Sequence, residues 1–269
     1  MGRLAEAFDK ARADDRAALV IYLCGGDPSL SATVERILAA AEGGADVIEL
    51  GVPFSDPSAD GETIQHASER ALAAGATLPG ILEVARTVRA RGCEVPILLF
   101  GYYNPLLSYG EENVVRDAAA AGVDGFLVVD LPPEEAEGLR RHIANAGLDY
   151  VPLVAPTSTE ERIAKAGAIA SGFVYYVSMT GITGAAATGL SDAARRAAAL
   201  SPQLGHPVAV GFGVKTPEDA AQVATHADGV VVGSAVVRAA ADAPDPSSAA
   251  RAVRNTVAAL AGAVASARR

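Results

Sequence analysis

The sequence has few cysteines and histidines, and neither residue type forms a cluster. Cys24 and Cys93 are the two cysteines among 269 residues, and they make neither a CxxC pair nor a disulfide-rich pattern. The four histidines form no HxH or HExxH motif. These absences argue against a metal site and against a disulfide framework, and they favour two buried thiols in a reducing compartment.

The sequence also lacks a basic patch and a long hydrophobic run. It carries 22 basic and 32 acidic residues, a formal net charge of −10. Binding to nucleic acid needs clustered positive charge, so this class of partner is not expected. The first residues are charged, and the apolar stretches AALVIYLC and TVAALAGAVASARR are shorter than the ~20 residues of a membrane-spanning helix. We therefore expect a cytoplasmic protein with no membrane contact.

Short apolar runs alternate with Ala-, Glu- and Arg-rich stretches along the whole chain. The runs are typical of strands and occupy residues 18–23, 46–50, 96–100, 125–130, 150–154, 172–177, 207–212 and 229–233. Runs without polar alternation indicate strands that are buried on both faces, and the stretches between them supply the helical crossovers of a parallel sheet. Eight such units without a linker predict an α/β fold, a single-domain (β/α)8 TIM barrel over residues 1–269 with an extra N-terminal helix. A doubly wound open sheet is the alternative, but CGGDPS follows the first strand where that fold would have GxGxxG.

Two segments carry signals for the start of a helix. In TSTEE, Ser158 and Glu161 have the spacing of a capping box. In KTPED, Thr216 can serve as an N-cap, with Pro217 in the first helical turn.

Two carboxylates follow the second predicted strand. Glu49 lies at the end of the apolar run, and Asp60 follows in a loop that prolines and glycines keep irregular. An ion pair is the ordinary explanation for a carboxylate at a strand end. The lysines Lys10, Lys165 and Lys215 do not end strand runs, and no arginine directly ends one, so this explanation is weakened. In a barrel, chemistry takes place where strands end, so both carboxylates are candidates for it.

Glycine-rich turns follow the last three predicted strands. They are MTGITG (179–184), GFGVK (211–215) and GSAVVRA (233–239), and the third one includes Ser234 at the start of a short helix. Glycine lets backbone N–H groups converge on an anion, and the loops after these strands form the usual phosphate site of barrels. A tight turn alone also explains any one of these glycines. Together the three turns favour a phosphate-binding site.

The motifs at the strand ends resemble those of the alpha subunits of tryptophan synthase. IELGVPFSDPSADGETIQ, YYNPLLSYG, DLPPEE, VAPTST, VSMTGITG, GFGVKTPEDA and DGVVVGSA occur in the family's order and spacing from about residue 15 to 240. The segment CGG (24–26) departs from the TAG that is common in the family, and MT (179–180) also differs. Neither departure touches the two carboxylates.

The resemblance implies a lyase that cleaves indole-3-glycerol phosphate to indole and glyceraldehyde 3-phosphate. Glu49 would have a pKa raised by its apolar surroundings and would transfer protons, while Asp60 would stay ionised and face the indole N–H. The substrate would be bordered by Tyr175, Tyr102, Phe100, Leu127 and Phe212, with Val129, Leu153 and Val232 as further apolar neighbours. The phosphate would be bound by Thr183, Gly184, Gly213, Gly233 and Ser234. Ordinary packing of the barrel core is the alternative reading for the apolar positions.

The resemblance also implies a partner. The chain itself would carry no cofactor, and a beta subunit with pyridoxal phosphate would bind loops 53–60, 104–110 and 131–135 in an alpha-beta-beta-alpha complex. Independently of the resemblance, the small side chains of the segment 178–196 offer little apolar area, so we expect this segment to close over the site only when phosphate is bound. A free-standing lyase and a different sugar-phosphate-binding barrel enzyme remain as alternatives, whereas Glu49 and Asp60 argue against a non-catalytic activator of a beta subunit.

Overall fold

Parallel strands form one continuous sheet within residues 2–178, 189–211 and 213–267, the ranges that the computed structural model describes. The order of the strands in the sheet is β5-β4-β3-β2-β1-β9-β8-β7-β6. In chain order they are β1 Ala18–Cys24, β2 Val47–Gly51, β3 Ile97–Gly101, β4 Gly125–Val128, β5 Asp149–Tyr150, β6 Leu153–Val154, β7 Val174–Val177, β8 Val208–Gly211 and β9 Gly229–Val232. Each apolar run predicted from the sequence overlaps a strand, with bounds that differ by one residue or more at several ends, and the predicted barrel is confirmed.

The predicted fifth strand is broken into two short pieces, β5 and β6. The first piece pairs with β4 and the second with β7, so the two edges of the sheet meet through residues 149–154. Between the pieces, the Val151 N–H donates to the Phe126 carbonyl at 2.9 Å, and the Tyr175 N–H donates to the Pro152 carbonyl at 3.0 Å. Pro152 has no N–H to donate, so the regular ladder is interrupted at this position. The interruption explains why one predicted strand appears as two.

Helices alternate with the strands and cover the outside of the barrel. In the described ranges they are α1 Arg3–Ala13, α2 Leu30–Glu42, α3 Glu62–Ala73, α4 Leu78–Ala90, α5 Tyr103–Tyr109, α6 Glu111–Ala121, α7 Glu137–Asn145, α8 Glu160–Ile169, α9 Leu190–Leu204, α10 Pro217–Ala224, α11 Ser234–Ala241 and α12 Pro246–Ser266. The predicted helix before the first strand is α1. The helices α3, α5 and α11 are additional ones, inserted between a strand and the next crossover helix.

The side chains of each strand divide between two apolar layers. Along β1, Ala18, Val20 and Tyr22 belong to the cluster inside the barrel, while Leu19 and Ile21 belong to the layer between strands and helices. All five are buried. Successive strand residues point to opposite faces, so burial of both faces requires the uninterrupted apolar runs seen in the sequence.

Helix α1 closes the amino-terminal end of the barrel. Its Leu4 and Phe8 join the interior cluster, and the Phe8 ring stacks on that of Phe173 with centroids 4.9 Å apart. The Arg3 guanidinium donates to the Asp124 carboxylate at 3.0 Å, just before β4 begins. Packed side chains fill this end, so a substrate site must be built at the opposite, carboxyl-terminal end.

The two predicted helix starts have different outcomes. The capping box predicted at Ser158 is wrong, because the N-cap of α8 is Thr159, whose hydroxyl accepts a backbone N–H at 3.3 Å. The Ser158 hydroxyl instead accepts from the Ala155 N–H at 3.0 Å and stabilises the turn before the helix. The prediction for Thr216 is confirmed, because Thr216 and Asp219 form a reciprocal capping box at the start of α10.

Candidate active site

Glu49 lies inside the barrel at the middle of β2, and not at its end as the sequence suggested, between Tyr22 on β1 and Leu98 on β3 in the strand register. Only 1% of its surface is exposed, and its Oε1 has no hydrogen-bond partner among the described residues. Burial raises the pKa of Glu49 from 4.5 to about 8. The carboxyl group is therefore mainly protonated at neutral pH and can donate a proton to a ligand.

Asp60 lies in the loop between β2 and α3, and a set of hydrogen bonds defines the shape of this loop. The Asp60 N–H donates to the Pro57 carbonyl at 3.0 Å, and the Gln65 side chain donates to the Asp60 carbonyl at 2.8 Å. The Tyr102 hydroxyl accepts from the Ala59 N–H at 2.9 Å. The loop that carries Asp60 is thus attached both to α3 and to the segment that follows β3.

The environment of Asp60 contains both a raising and a lowering influence on its pKa. Burial raises the pKa of Asp60 to about 6, and the hydrogen bond from Tyr102 offsets part of that increase. A pKa of about 6 leaves the carboxylate mainly ionised at neutral pH. Among the described residues, none gives Glu49 such a hydrogen bond to stabilise its ionised form, so the two carboxyl groups favour opposite protonation states.

Tyr22 lies between the carboxylates and the start of α11, a position that the sequence analysis did not identify. A side chain at Gly51 would collide with its hydroxyl, and a Cβ at Gly233 would lie 3.3 Å from the Tyr22 Cβ. The ring meets Phe100 edge to face, with centroids 5.1 Å apart. Burial holds the pKa of Tyr22 well above its ordinary value, and the nearby Glu49 adds to the shift. Every second side chain of β1 points into the barrel, and this alternation could have identified Tyr22 as a residue of the site.

Tyr175 occupies a comparable place on β7, as the second residue of the strand. It is 3% exposed, and a Cβ at Gly211 would overlap its hydroxyl, so glycine is required on the neighbouring strand β8. Burial holds the pKa of Tyr175 well above its ordinary value, and the charges of Glu49 and Asp60 add to the shift. The structure thus places this predicted substrate-binding residue near both carboxylates.

The predicted apolar neighbours of the substrate separate into two groups. Phe100 and Leu127 belong to the cluster inside the barrel, and Val129 and Leu153 pack against it. Val232 belongs to the outer layer between the strands and the helices, so its predicted place beside the substrate is wrong. Side chains alternate between the two faces of β9, and that of Val232 points outward. The uninterrupted run of valines did not reveal which of them point inward.

Part of the predicted phosphate site lies at the start of α11. Gly233 is the N-cap of this helix, Ser234 is its first residue, and Gly213 has a positive φ of 87° that favours glycine. The first N–H groups of a helix have no partner within it and attract anions. Thr183 and Gly184, the other two predicted positions, lie outside the described residues, as does Phe212 of the predicted substrate pocket.

Metal-ligating side chains are dispersed over the ranges that the structure describes. Within these ranges, no three His, Cys, Asp or Glu side chains are close enough together to hold a metal ion. None of the described helices combines the length and the apolar character needed to cross a membrane.

Comparison with known proteins gives consistent matches over nearly the whole chain. The family profile described as tryptophan synthase alpha chain matches residues 8–266. The tryptophan synthase alpha chain of Geobacter sulfurreducens is 55% identical over 238 residues, which cover 88% of this chain and 90% of that protein. The corresponding protein of Acidiphilium cryptum is 47% identical, with 100% of this chain and 99% of that protein covered.

Solved structures give the same match at the level of the fold. The crystal structure of tryptophan synthase subunit alpha from Legionella pneumophila has a TM-score of 0.90 and 37% identity, with 98% of each chain covered. A ligand-free tryptophan synthase structure from M. tuberculosis has a TM-score of 0.88 and 37% identity, with 98% of this chain and 100% of that chain covered.

Proposed function

Because the chain belongs to the family of tryptophan synthase alpha chains, we propose that Glu49 and Asp60 are its two catalytic groups. The chain is an enzyme of tryptophan biosynthesis, a carbon–carbon lyase that cleaves indole-3-glycerol phosphate to indole and glyceraldehyde 3-phosphate. The observation that carries our assignment is the Glu49 carboxyl inside the barrel, which is mainly protonated and has an oxygen without a hydrogen-bond partner in the described ranges.

Glu49 supplies the proton transfers of the reaction. Its carboxylic acid protonates C3 of the indole ring, and the resulting cationic ring can accept the electrons of the breaking carbon–carbon bond. The Glu49 carboxylate then takes the proton from the hydroxyl on the carbon next to C3, and that carbon becomes the aldehyde. Indole leaves, and Glu49 is again protonated. The ring itself accepts the electrons, so we propose no cofactor in this chain.

Asp60 stabilises the charge that develops during the first proton transfer. Protonation of C3 places a positive charge on the ring, with a share on the ring nitrogen. An ionised carboxylate beside the N–H of the ring lowers the energy of this state, and partial burial of the carboxylate strengthens the interaction. A pKa of about 6 gives Asp60 the required charge at neutral pH.

The remaining residues bind and orient the substrate. We propose that Tyr22 and Tyr175 border the indole with their neutral rings, together with Tyr102, Phe100, Leu127 and Phe212. Neutral hydroxyls with high pKa values do not compete with Asp60 for the positive charge of the ring. The phosphate would be bound by Gly213, Gly233 and Ser234, with Thr183 and Gly184 completing the site.

A beta subunit is the partner that the family implies, and we propose that loops 53–60, 104–110 and 131–135 bind it in an alpha-beta-beta-alpha complex. Two large apolar side chains beside these loops support the proposal, since Leu107 on α5 is 52% exposed and Leu72 on α3 is 38% exposed. Pyridoxal phosphate would belong to that partner. We further propose that residues 1–269 form a single domain and that the protein works in the cytoplasm.

The test is the release of indole from indole-3-glycerol phosphate by the purified chain, with and without a pyridoxal-phosphate-bearing beta subunit. We expect slow release by the chain alone and strong activation by the partner, because a partner that binds the active arrangement better shifts the population toward it. Full activity without the partner would support the free-standing lyase. No indole in either assay would refute the proposed function.

A further inference from the structure

A hydrogen bond joins the two ends of the proposed site at the surface of the barrel. The Arg238 guanidinium on α11 donates to the Thr63 hydroxyl on α3 at 3.1 Å. Helix α11 begins with Ser234 at the proposed phosphate site, and Thr63 lies in the first turn of α3, directly after the loop that carries Asp60. The two helices also pack against each other. One side-chain contact therefore connects α11, where the phosphate would bind, with the first turn of α3, next to the loop that carries Asp60.

On the α11 side, Arg238 shares a helix face with the proposed phosphate-binding residue Ser234. The two residues are four positions apart, a spacing that places side chains on the same side of a helix. Both line a cleft of ≈ 300 Å³ whose other walls are formed by Lys215, Ala235, Ala239 and Asp242. A phosphate at the start of α11 would thus bind within one helical turn of the Arg238 guanidinium and would restrain this helix.

On the α3 side, the two ends of the helix are attached differently. Near its far end, Arg70 makes two hydrogen bonds of 2.8 Å to the carboxylate of Asp27, which is 2% exposed. Near its start, the exposed Arg238–Thr63 bond reaches the first turn. Buried charge pairs are costly to break, whereas exposed hydrogen bonds contribute little by themselves. The first turn, next to Asp60, is therefore the part of α3 whose position depends most on α11.

We propose that Arg238 is a positioning residue, which couples the binding of phosphate at α11 to the placement of Asp60 through the hydroxyl of Thr63. The inference rests on the proposed function, since it needs phosphate at the start of α11 and a catalytic carboxylate at Asp60. Phosphate restrains α11, Arg238 then holds the first turn of α3, and the loop before that turn sets Asp60 beside the indole. A ligand couples two sites in this way when it favours one arrangement of an element that both sites share.

The first experiment follows hydrogen exchange in the full chain, with and without saturating glycerol 3-phosphate, a stable analogue of the aldehyde product. The variants are Arg238→Met, Thr63→Val and Thr63→Ser. The control is Arg251→Met, because Arg251 also donates from an exposed position to a serine hydroxyl, at 3.2 Å on the remote helix α12. In the wild type, in Thr63→Ser and in the control, we expect the ligand to slow exchange in residues 53–65.

Arg238→Met and Thr63→Val should lose this protection of residues 53–65 while residues 233–241 remain protected by the ligand. The second experiment measures kcat and KM for indole release. Both variants should lower kcat about three- to ten-fold with a smaller change in KM, and the double variant should be no worse than the worse single one. Thr63→Ser should have nearly the activity of the wild type, because serine keeps the hydroxyl that accepts from Arg238.

Three results would overturn the coupling. The first is that glycerol 3-phosphate still protects residues 53–65 in Arg238→Met. The second is that the losses of kcat in the two single variants add in the double variant. The third is that Arg238→Met binds glycerol 3-phosphate more weakly while Thr63→Val has no effect, which would make Arg238 a direct phosphate ligand. These results are distinct from failure of the proposed function. That failure would appear in the wild type, as no indole release and no protection of residues 233–241.

Discussion

Glu49 in the barrel wall and Asp60 in the loop above it are carboxyl groups of the same chain segment with different surroundings. Glu49 is enclosed by apolar side chains and tyrosine rings, and burial raises its pKa to about 8. Asp60 is only partly buried, a hydrogen bond from Tyr102 stabilises its ionised form, and its pKa is about 6. Burial alone keeps a carboxyl group neutral, whereas burial with a donor of hydrogen bonds keeps it charged. The difference suits Glu49 to the acid's role and Asp60 to the role of charge stabiliser that we propose for them.

The largest effect should come from removing the proton of Glu49. We expect Glu49→Gln to reduce indole release about 10³- to 10⁴-fold and Asp60→Asn about 10²-fold, because proton transfer is essential while charge stabilisation is partial. Steady-state assays with the beta subunit present measure both losses. Glu112→Gln, at an exposed position on α6, is the control and should keep full activity. Near-normal turnover of either site variant would contradict the roles that the comparison assigns.

The same contrast predicts that Glu49→Gln, which lowers activity, raises the stability of the fold at high pH. The folded pKa of Glu49, about 8, lies above its ordinary value of 4.5. Between these two values the unfolded chain ionises while the folded chain stays protonated, so wild-type stability falls as the pH rises through this window. Glutamine imitates the protonated state, and Glu49→Gln should be more stable than the wild type at pH 9 by about 2–4 kcal/mol.

Denaturant unfolding of both proteins at pH 4 and pH 9 measures this difference in the free energy of unfolding. The advantage of the variant should nearly vanish at pH 4, where Glu49 is protonated in both the folded and the unfolded state. An equal difference at both pH values would mean that the variant acts through packing rather than through ionisation.

Packing around the two groups supplies a third, smaller effect. The hydroxyl of Tyr22 leaves no room for a side chain at Gly51, whereas nothing lies within 4 Å of a Cβ built at Gly61. Gly51→Ala should therefore destabilise the fold by about 1–3 kcal/mol. Gly61→Ala, in the same chain segment, should change the free energy of unfolding much less. Equal effects of the two variants in thermal or denaturant unfolding would show that the close approach of Tyr22 imposes no constraint.

The smallest expected effect is a shift in the pH dependence of activity when the hydrogen bond to Asp60 is removed. The profile of kcat/KM against pH should rise with an apparent pKa of about 6, as Asp60 ionises, and fall with one of about 8, as Glu49 loses its proton. Tyr102→Phe removes the hydrogen bond that lowers the pKa of Asp60, so the rising limb should move to higher pH. The falling limb should stay in place. A shift of both limbs, or of neither, would refute the separate tuning of the two groups.

The sequence by itself determined the parallel barrel and the positions of the two carboxyl groups along it. Uninterrupted apolar runs arise where strands are buried on both faces, and this signal is local, so every strand overlaps a predicted run. Glu49 was conspicuous as a charged residue within such a run, while Asp60 shares its proline- and glycine-rich loop with Asp56 and was singled out by the family motif. Cap residues were less well determined, since Ser158 and Thr159 are adjacent and both can cap a helix.

Tertiary structure alone decided how distant segments meet around the site. The fifth strand is divided because its halves pair with β4 and β7, and only closure of the barrel brings these strands to either side of Pro152. The contact of Tyr22 with Gly51 and the bond from Arg238 to Thr63 likewise join separate elements. Sequence patterns record whether a side chain is buried, but not which remote residue lies against it. The pKa values of Glu49 and Asp60 depend on those neighbours, and so the division of roles that we propose for them rests on the folded barrel.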